Sequence, residues 1–192
     1  MASAQKVYAM LGKGALWDAV SKSHEVLAQA SIPHVIVDGV AVCLHGYQRN
    51  TADVDVLIRR EDATDVKEQL TRAGFVWHAE NREFRSPDDV PVQFLLSEEP
   101  ASDDRSQGIM LPNPETEGTL TMIEGLPVLS LRRLIEVKLA CGLGNLRRTH
   151  RDFADVVELI SIHSLSRSFA RHLHKNVRKA FRELVLRARG TS

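Results

Sequence analysis

Two rhythms of apolar residues run along the chain, one helical and one alternating or continuous. Leu16, Ala19, Val20, Val26 and Leu27 recur at helical spacing and predict a long helix from about Lys13 to Ala30. Pro33 resets the backbone, and His34 to Val37 reads as a short buried strand. Gly39 permits a tight turn into a brief helix, Val40 to Leu44, that Gly46 can end. Asp53 to Ile58 is the next predicted strand. A helix from about Asp62 to Ala73 follows, with Val66 and Leu70 inward and Gly74 at its C-terminus. Phe75 to His78 and Glu83 to Arg85 predict a hairpin around Asn81. Val90 to Leu96 is a further strand, in which Pro91 marks an edge or a strand start.

Residues 97–118, rich in Ser, Asp, Glu, Pro and Gly, predict a long loop with room for one helical turn. Thr119 to Val128 holds one or two short strands around Glu124-Gly125. Beyond them the pattern is helical: Leu131 to Cys141, His150 to Ile162, then one or two basic amphipathic helices to Ala188. A helix, then mixed strands and helices, then a helical tail predict an α+β fold, α/β-like in its middle. A mixed β-sheet would carry helices mainly on one face and a C-terminal helical extension. Residues 1–128 are expected to form the core, with 129–192 packed on it as part of one structural domain.

Composition narrows the class without naming a function. The 192 residues are enough to bury a core, and 43% hydrophobic with 26% charged is ordinary for a globular protein. The formal net charge is zero but uneven. Glu98, Glu99, Asp103, Asp104, Glu115 and Glu117 crowd the long loop against Arg105. Arg and Lys recur from Arg167 to Arg189 against Glu183 alone. Such a basic end points to a polyanion partner, or else arginines simply coat the outer face of terminal helices. Cys43 and Cys141 sit in apolar helical patterns and read as core residues of a reducing compartment. With no bilayer-length apolar run and no leader pattern at the start, a cytoplasmic protein is expected and no membrane partner.

The candidate chemistry lies in Asp53 and Asp55. Residues i and i+2 of a strand share a face, about 6–7 Å apart along the chain. Two carboxylates that close repel unless a cation lies between them, and magnesium prefers such hard oxygen ligands. Asp38-Gly39, at a strand–helix junction, offers backbone amides to a phosphate. Arg49 and Thr51 precede the aspartate strand and can contact phosphate or order the loop.

Gly39, Ala41, Gly46, Arg49, Thr51, Asp53 and Asp55 together resemble the signature of the DNA polymerase β-like nucleotidyltransferase superfamily. Lys138, Arg148, Arg151, Asp152 and Asp155 are similar to a second block of its small members, among them the nucleotidyltransferase-type toxins of abortive-infection systems. The resemblance spans most of residues 33–160. It implies a nucleotidyltransferase fold and Mg2+- or Mn2+-dependent transfer of NMP from an NTP to a hydroxyl. Asp53 and Asp55 would hold metal, with Gln93 and Lys138 also at the reacting centre. Asp38, Gly39, Arg49, Thr51, Arg148 and Asp152 would line the nucleotide. A cognate antitoxin protein is the partner implied besides nucleotide, while the basic C-terminal helices, outside the resemblance, lean toward RNA. From the residues alone, the Lys138–Asp152 block reads equally well as a salt-bridge cluster between packed helices.

Two positions depart from the pattern. Asp38 stands where relatives have Gly or Ser, and its carboxylate would repel phosphates unless it turned away or helped bind metal. Gln93, between Val92 and Phe94, stands where relatives place a third acid. An amide oxygen can ligate a metal but cannot serve as a general base. These departures leave open a second function class: a non-catalytic nucleotidyltransferase-fold binding or regulatory protein.

Overall fold

The computed structural model describes residues 3, 5–6, 8, 12, 14–102, 104–105 and 108–189. The expected helix start at Lys13 and Asp103 of the acidic loop lie outside them. Helix α1 spans Gly14–Gln29 and buries Leu16, Trp17, Ala19, Val20, Ser23 and Leu27 on one face, as their spacing predicts. Strand β1, His34–Val37, is buried throughout and runs directly into α2, Asp38–Leu44. The second helix ends where Gly46 adopts φ 106°, with Tyr47 N–H donating to the Val42 carbonyl at 3.2 Å. That is the Schellman geometry glycine favours.

Strand β2 is Val54–Ile58, so Asp53 sits in its lead-in rather than within it. Val54, Val56 and Ile58 share one face and Asp55 lies on the other, yet all five residues are buried. The strand lies in mid-sheet with both faces covered, which overrides a one-sided pattern. A 3-10 turn, Arg60–Asp62, precedes α3, Ala63–Arg72. β3, Val76–His78, and β4, Glu83–Arg85, form the expected hairpin. β5, Pro91–Leu96, lies between β4 and β2, so Pro91 marks a strand start. β6, Leu120–Ile123, and β7, Leu126–Leu129, join through Glu124 and Gly125, both at positive φ. Two such residues make the turn favoured between tightly paired strands.

The seven strands run in the order β3-β4-β5-β2-β1-β7-β6. β1 is antiparallel to β2 and parallel to β7, while β2 is parallel to β5, so the sheet is mixed. The segment after β5 is not a plain loop. Glu98, Glu99 and Ala101 exchange backbone hydrogen bonds with Ile109 and Leu111, folding it into a flap around a Pro100–Met110 bridge.

Helix α4, Leu131–Gly144, and α5, Leu146–Ile162, follow β7. α5 starts four residues before the expected His150, because the Asn145 side chain caps it by accepting from Arg147 N–H at 3.0 Å. Two 3-10 turns, Arg167–His172 and Lys175–Val177, lead to α6, Arg178–Arg189. Phe181, Leu184 and Val185 bury its inner face. Among the described residues no helix is long and apolar enough to cross a membrane.

Candidate functional site

The β1–α2 junction and the start of β2 bring three aspartates to one place. Antiparallel pairing sets Val37 opposite Asp55, so Asp38 lies beside the lead-in to β2. Asp38 has φ 46°, the left-handed conformation that glycine takes freely and aspartate tolerates. The turn is therefore made at Asp38, and Gly39 serves a different need. A Cβ on Gly39 would stand 2.4 Å from Thr51 Oγ1 and 3.2 Å from Arg49 Nη2. Glycine lets those two side chains close over the junction. Thr51 Oγ1 in turn donates to Asp53 Oδ1 at 2.9 Å and orients that carboxylate.

Asp55 is 7% exposed, and no hydrogen bond or ion pair reaches its carboxylate among the described residues. Burial, then the neighbouring charges of Asp38 and Asp53, push its carboxyl up to about 7. A buried carboxylate beside two others wants a cation. Asp53, Asp55 and the Gln93 amide supply hard oxygen donors, the set magnesium or manganese accepts. This donor set fits the metal that the resemblance implies.

Gln93 pairs with Asp55 across the parallel β2–β5 ladder, so the two share a face. Its Nε2 donates to Glu83 Oε2 at 3.4 Å, and no hydrogen bond reaches its amide oxygen among the described residues. Glu83, buried on β4, also takes Arg85 at 2.7 Å. Burial opposes ionisation, but the Gln93 and Arg85 hydrogen bonds hold its carboxyl below its ordinary range. Asp55, Gln93 and Glu83 thus lie in a row over three adjacent strands. Of the other acids flanking the strand, Asp89 pairs with Arg85. Asp88 faces α1 beside Asp18 and Lys22, and Glu98 lines a separate cleft.

The second block forms one ion cluster between α4, α5 and the junction. Lys138, 1% exposed, points its ammonium at Asp38, Asp152 and Asp155, the latter two at 2.9 Å each. Arg148 reaches Asp38 Oδ2 at 2.7 Å and Asp152 Oδ2 at 3.1 Å. Arg49 is bound by Asp155, at 2.8 Å from Nε and 3.2 Å from Nη2, and stands 3.7 Å from Asp38. Arg151 lies 3.5 Å from Asp38. Burial works against the Asp38 charge, but Lys138, Arg148 and Arg151 outweigh it and bring its carboxyl down to about 2. Oxygens of Asp38, Asp152 and Asp155 lie within 4.8 Å of one another, a spacing that could hold a metal. The Lys138 ammonium already fills that position, so this second acidic group is an ammonium site.

The predicted residues therefore separate into two neighbouring groups. Asp53, Asp55 and Gln93 form an oxygen face to which no cation is ion-paired among the described residues; Asp38, Arg49, Lys138, Arg148 and Asp152 belong to the ion-paired cluster. Arg49 is committed to Asp155 rather than standing free for phosphate. Arg148 also borders a cleft of about 690 Å³ under the flap, lined by Arg60, Glu98, Arg105 and Cys141. Glu83 is the residue that linear reading passes over. Its one sequence signal is the alternation Arg82-Glu83-Phe84-Arg85, which places Glu83 and Arg85 on one strand face.

No family model and no curated protein matches this chain. Its fold is similar to that of the antibiotic-resistance factor ANT(2'')-Ia in solution. The TM-score is 0.51 with 14% identity, over 90% of this chain and 91% of that one. The same factor in complex with adenylyl-2''-tobramycin gives TM-score 0.54 and 15% identity over 86% and 96%. A Thermotoga maritima protein assigned as a nucleotidyltransferase gives TM-score 0.52 and 14% identity over 73% and 92%. The architecture is thus an α+β nucleotidyltransferase fold. At such identity the likeness carries the fold and not the activity.

Proposed function

We propose that this protein transfers the NMP group of an NTP to a hydroxyl acceptor and releases pyrophosphate. The observation that carries the reading is Asp55: buried, without a hydrogen bond or ion pair among the described residues, and flanked by Asp53 and Asp38. Asp53 and Asp55 would hold Mg2+ or Mn2+, with the Gln93 oxygen as a neutral third donor. Such an ion polarises the phosphoryl oxygens and favours ionisation of the attacking hydroxyl. Thr51 orients the Asp53 carboxylate, and Glu83 engages the Gln93 amide through its Nε2. Lys138 and Arg148 supply positive charge for the triphosphate, while Asp152 and Asp155 hold those cations in place. Gly39 admits Thr51 and Arg49 to the junction.

The acceptor is an RNA end, a protein side chain or a small molecule. The basic exposed side of α6 favours RNA; a small-molecule acceptor finds support in the fold neighbour that carries adenylyl-2''-tobramycin. A cytoplasmic toxin that travels with an antitoxin fits the resemblance of the second block.

A second reading rests on Gln93. An amide cannot take the acceptor's proton, and general-base catalysis is worth roughly 10²–10⁴-fold. A protein that keeps the fold for nucleotide binding or regulation fits that loss. Incubation with labelled NTPs, Mg2+ and each acceptor class separates the two. Transfer by the wild type that disappears in Asp53→Ala and Asp55→Ala supports the enzyme, and Gln93→Asp is expected to speed it. Transfer only in Gln93→Asp would overturn the claim for the natural protein.

A further inference from the structure

A lysine ammonium has three protons to donate. Lys138 donates to Asp38 and Asp152, and Asp155 stands against the ammonium as an ion pair at 2.9 Å, so carboxylates face it on three sides. The three carboxylates are not equivalent. Asp152 and Asp155 are 0% and 1% exposed, sit one turn apart on α5, and each binds a second cation, Arg148 and Arg49 respectively. They are fixed parts of the cluster. Asp38 alone reaches the surface, with its side chain 16% exposed, and it occupies a left-handed backbone conformation.

Charge gives the same division. Arg49, Lys138, Arg148 and Arg151 carry four positive charges against the two of Asp152 and Asp155. Within the cluster two positive charges remain beyond those aspartates; the Asp38 carboxylate covers one of them, with Asp55 and Asp53 alongside. With Asp38 gone, Lys138 regains a proton to donate and Arg148 regains its Nη2. Arg151, half exposed, completes the open side. Arg148 also borders the 690 Å³ cleft, so the cluster meets open space on that side. A phosphate group with two negative charges and several acceptor oxygens matches that vacated position better than the carboxylate does.

We propose that the Asp38 carboxylate is a tethered occupant of a phosphate site, and that the diphosphate end of a ligand displaces it onto Lys138, Arg148 and Arg151. The carboxylate keeps the buried cations paired in the free protein and sets a threshold for binding. A single phosphate brings one more charge than the carboxylate, whereas a diphosphate brings still more charge and more acceptors. Nucleoside triphosphate and free pyrophosphate share this chemistry. The inference rests on the site described under the proposed function, but its test needs neither metal nor acceptor.

Titration calorimetry with pyrophosphate in EDTA compares the wild type with Asp38→Asn and Asp38→Gly. Asparagine keeps the shape and removes the charge; glycine suits φ 46° and removes the side chain. Both are expected to bind pyrophosphate at least tenfold more tightly than the wild type. Adding Arg148→Gln to Asp38→Asn is expected to abolish that gain. Equal affinity in all three proteins, or a gain that survives Arg148→Gln, overturns the proposal. If neither variant folds, by melting curve, Asp38 is a structural pin and not a displaceable group, which overturns it equally. ATP and pyrophosphate titrated in parallel distinguish the two ligand sources. Loss of NMP transfer with this binding intact would sink the reaction and leave the phosphate site standing.

Discussion

At the scale of single residues, Asp55 concentrates the energetic tension of the site. Its carboxyl is held at about 7, against 3.8 for an ordinary aspartate. The folded protein therefore binds this proton more tightly than the unfolded chain does. Stability gained from that proton is whole below about pH 4 and is lost as pH rises through about 7. A shift of this size corresponds to about 4 kcal/mol at most. Asp55→Asn, measured in EDTA, is expected to raise Tm at pH 8 and to change little at pH 4. Identical melting at pH 8 would show that the charge is already compensated. Metal changes the sign of the argument. Mg2+ is expected to stabilise the wild type more at pH 8 than at pH 5.5, and to do little for Asp55→Asn.

The contrast with Asp38 shows what spacing along the chain can and cannot reveal. Gly39, Arg49, Thr51, Asp53 and Asp55 lie in one short stretch, so their grouping is legible from spacing alone. The division of labour among them is not. Whether Asp38 meets phosphate or lysine depends on α4, which arrives a hundred residues later. Glu83 is hidden for the same reason, since it meets Gln93 only through the β4–β5 pairing. Side chains joined by sheet register leave no linear signature.

At the scale of elements, the α4–α5 contact is the one that positions the cluster. Gly142 lies against Phe153 at the crossing, where an added Cβ would stand 2.5 Å from Cε1 and 3.5 Å from Asp152 Cβ. Gly142→Ala must push the ring or separate the helices, and overpacking of this kind costs roughly 1–3 kcal/mol. Urea denaturation is expected to show that loss, and Phe153→Leu in the same chain to recover part of it. An unchanged midpoint would mean the helices have slack there. Periodicity makes both α4 and α5 legible as helices. It places the start of α5 too late, because the Asn145 cap outranks the weak apolar pattern of the first turn. The flap reads as a loop because its pairing is made by backbone groups around prolines and acids, which carry no β-strand pattern.

For the whole molecule, the ion cluster joins segments distant in sequence. It gathers the β1–α2 junction, the lead-in to β2, α4 and α5 around one buried ammonium. Removing one partner from such a set leaves uncompensated buried charge, worth roughly 3–5 kcal/mol. The basic C-terminal region is only partly available to a polyanion. Arg178 spends its guanidinium on the Leu173 and Arg171 carbonyls, closing the turn before α6.

The flap has one further consequence, through sulfur. The Cys141 thiol donates to the Ala101 carbonyl at 2.8 Å, so α4 and the flap are stitched together where the cleft begins. Burial pushes that thiol up to about 11. At pH 8 it is almost wholly protonated and shielded, and its thiolate is scarcer by roughly 10²-fold than in an ordinary cysteine. With Cys43 replaced by alanine, alkylation of Cys141 by a neutral reagent is expected to proceed only as the flap lifts. A rate equal to that of a free thiol would mean the stitch does not hold. Otherwise the single sulfur becomes a stopwatch for the opening of the cleft, readable whatever the substrate proves to be.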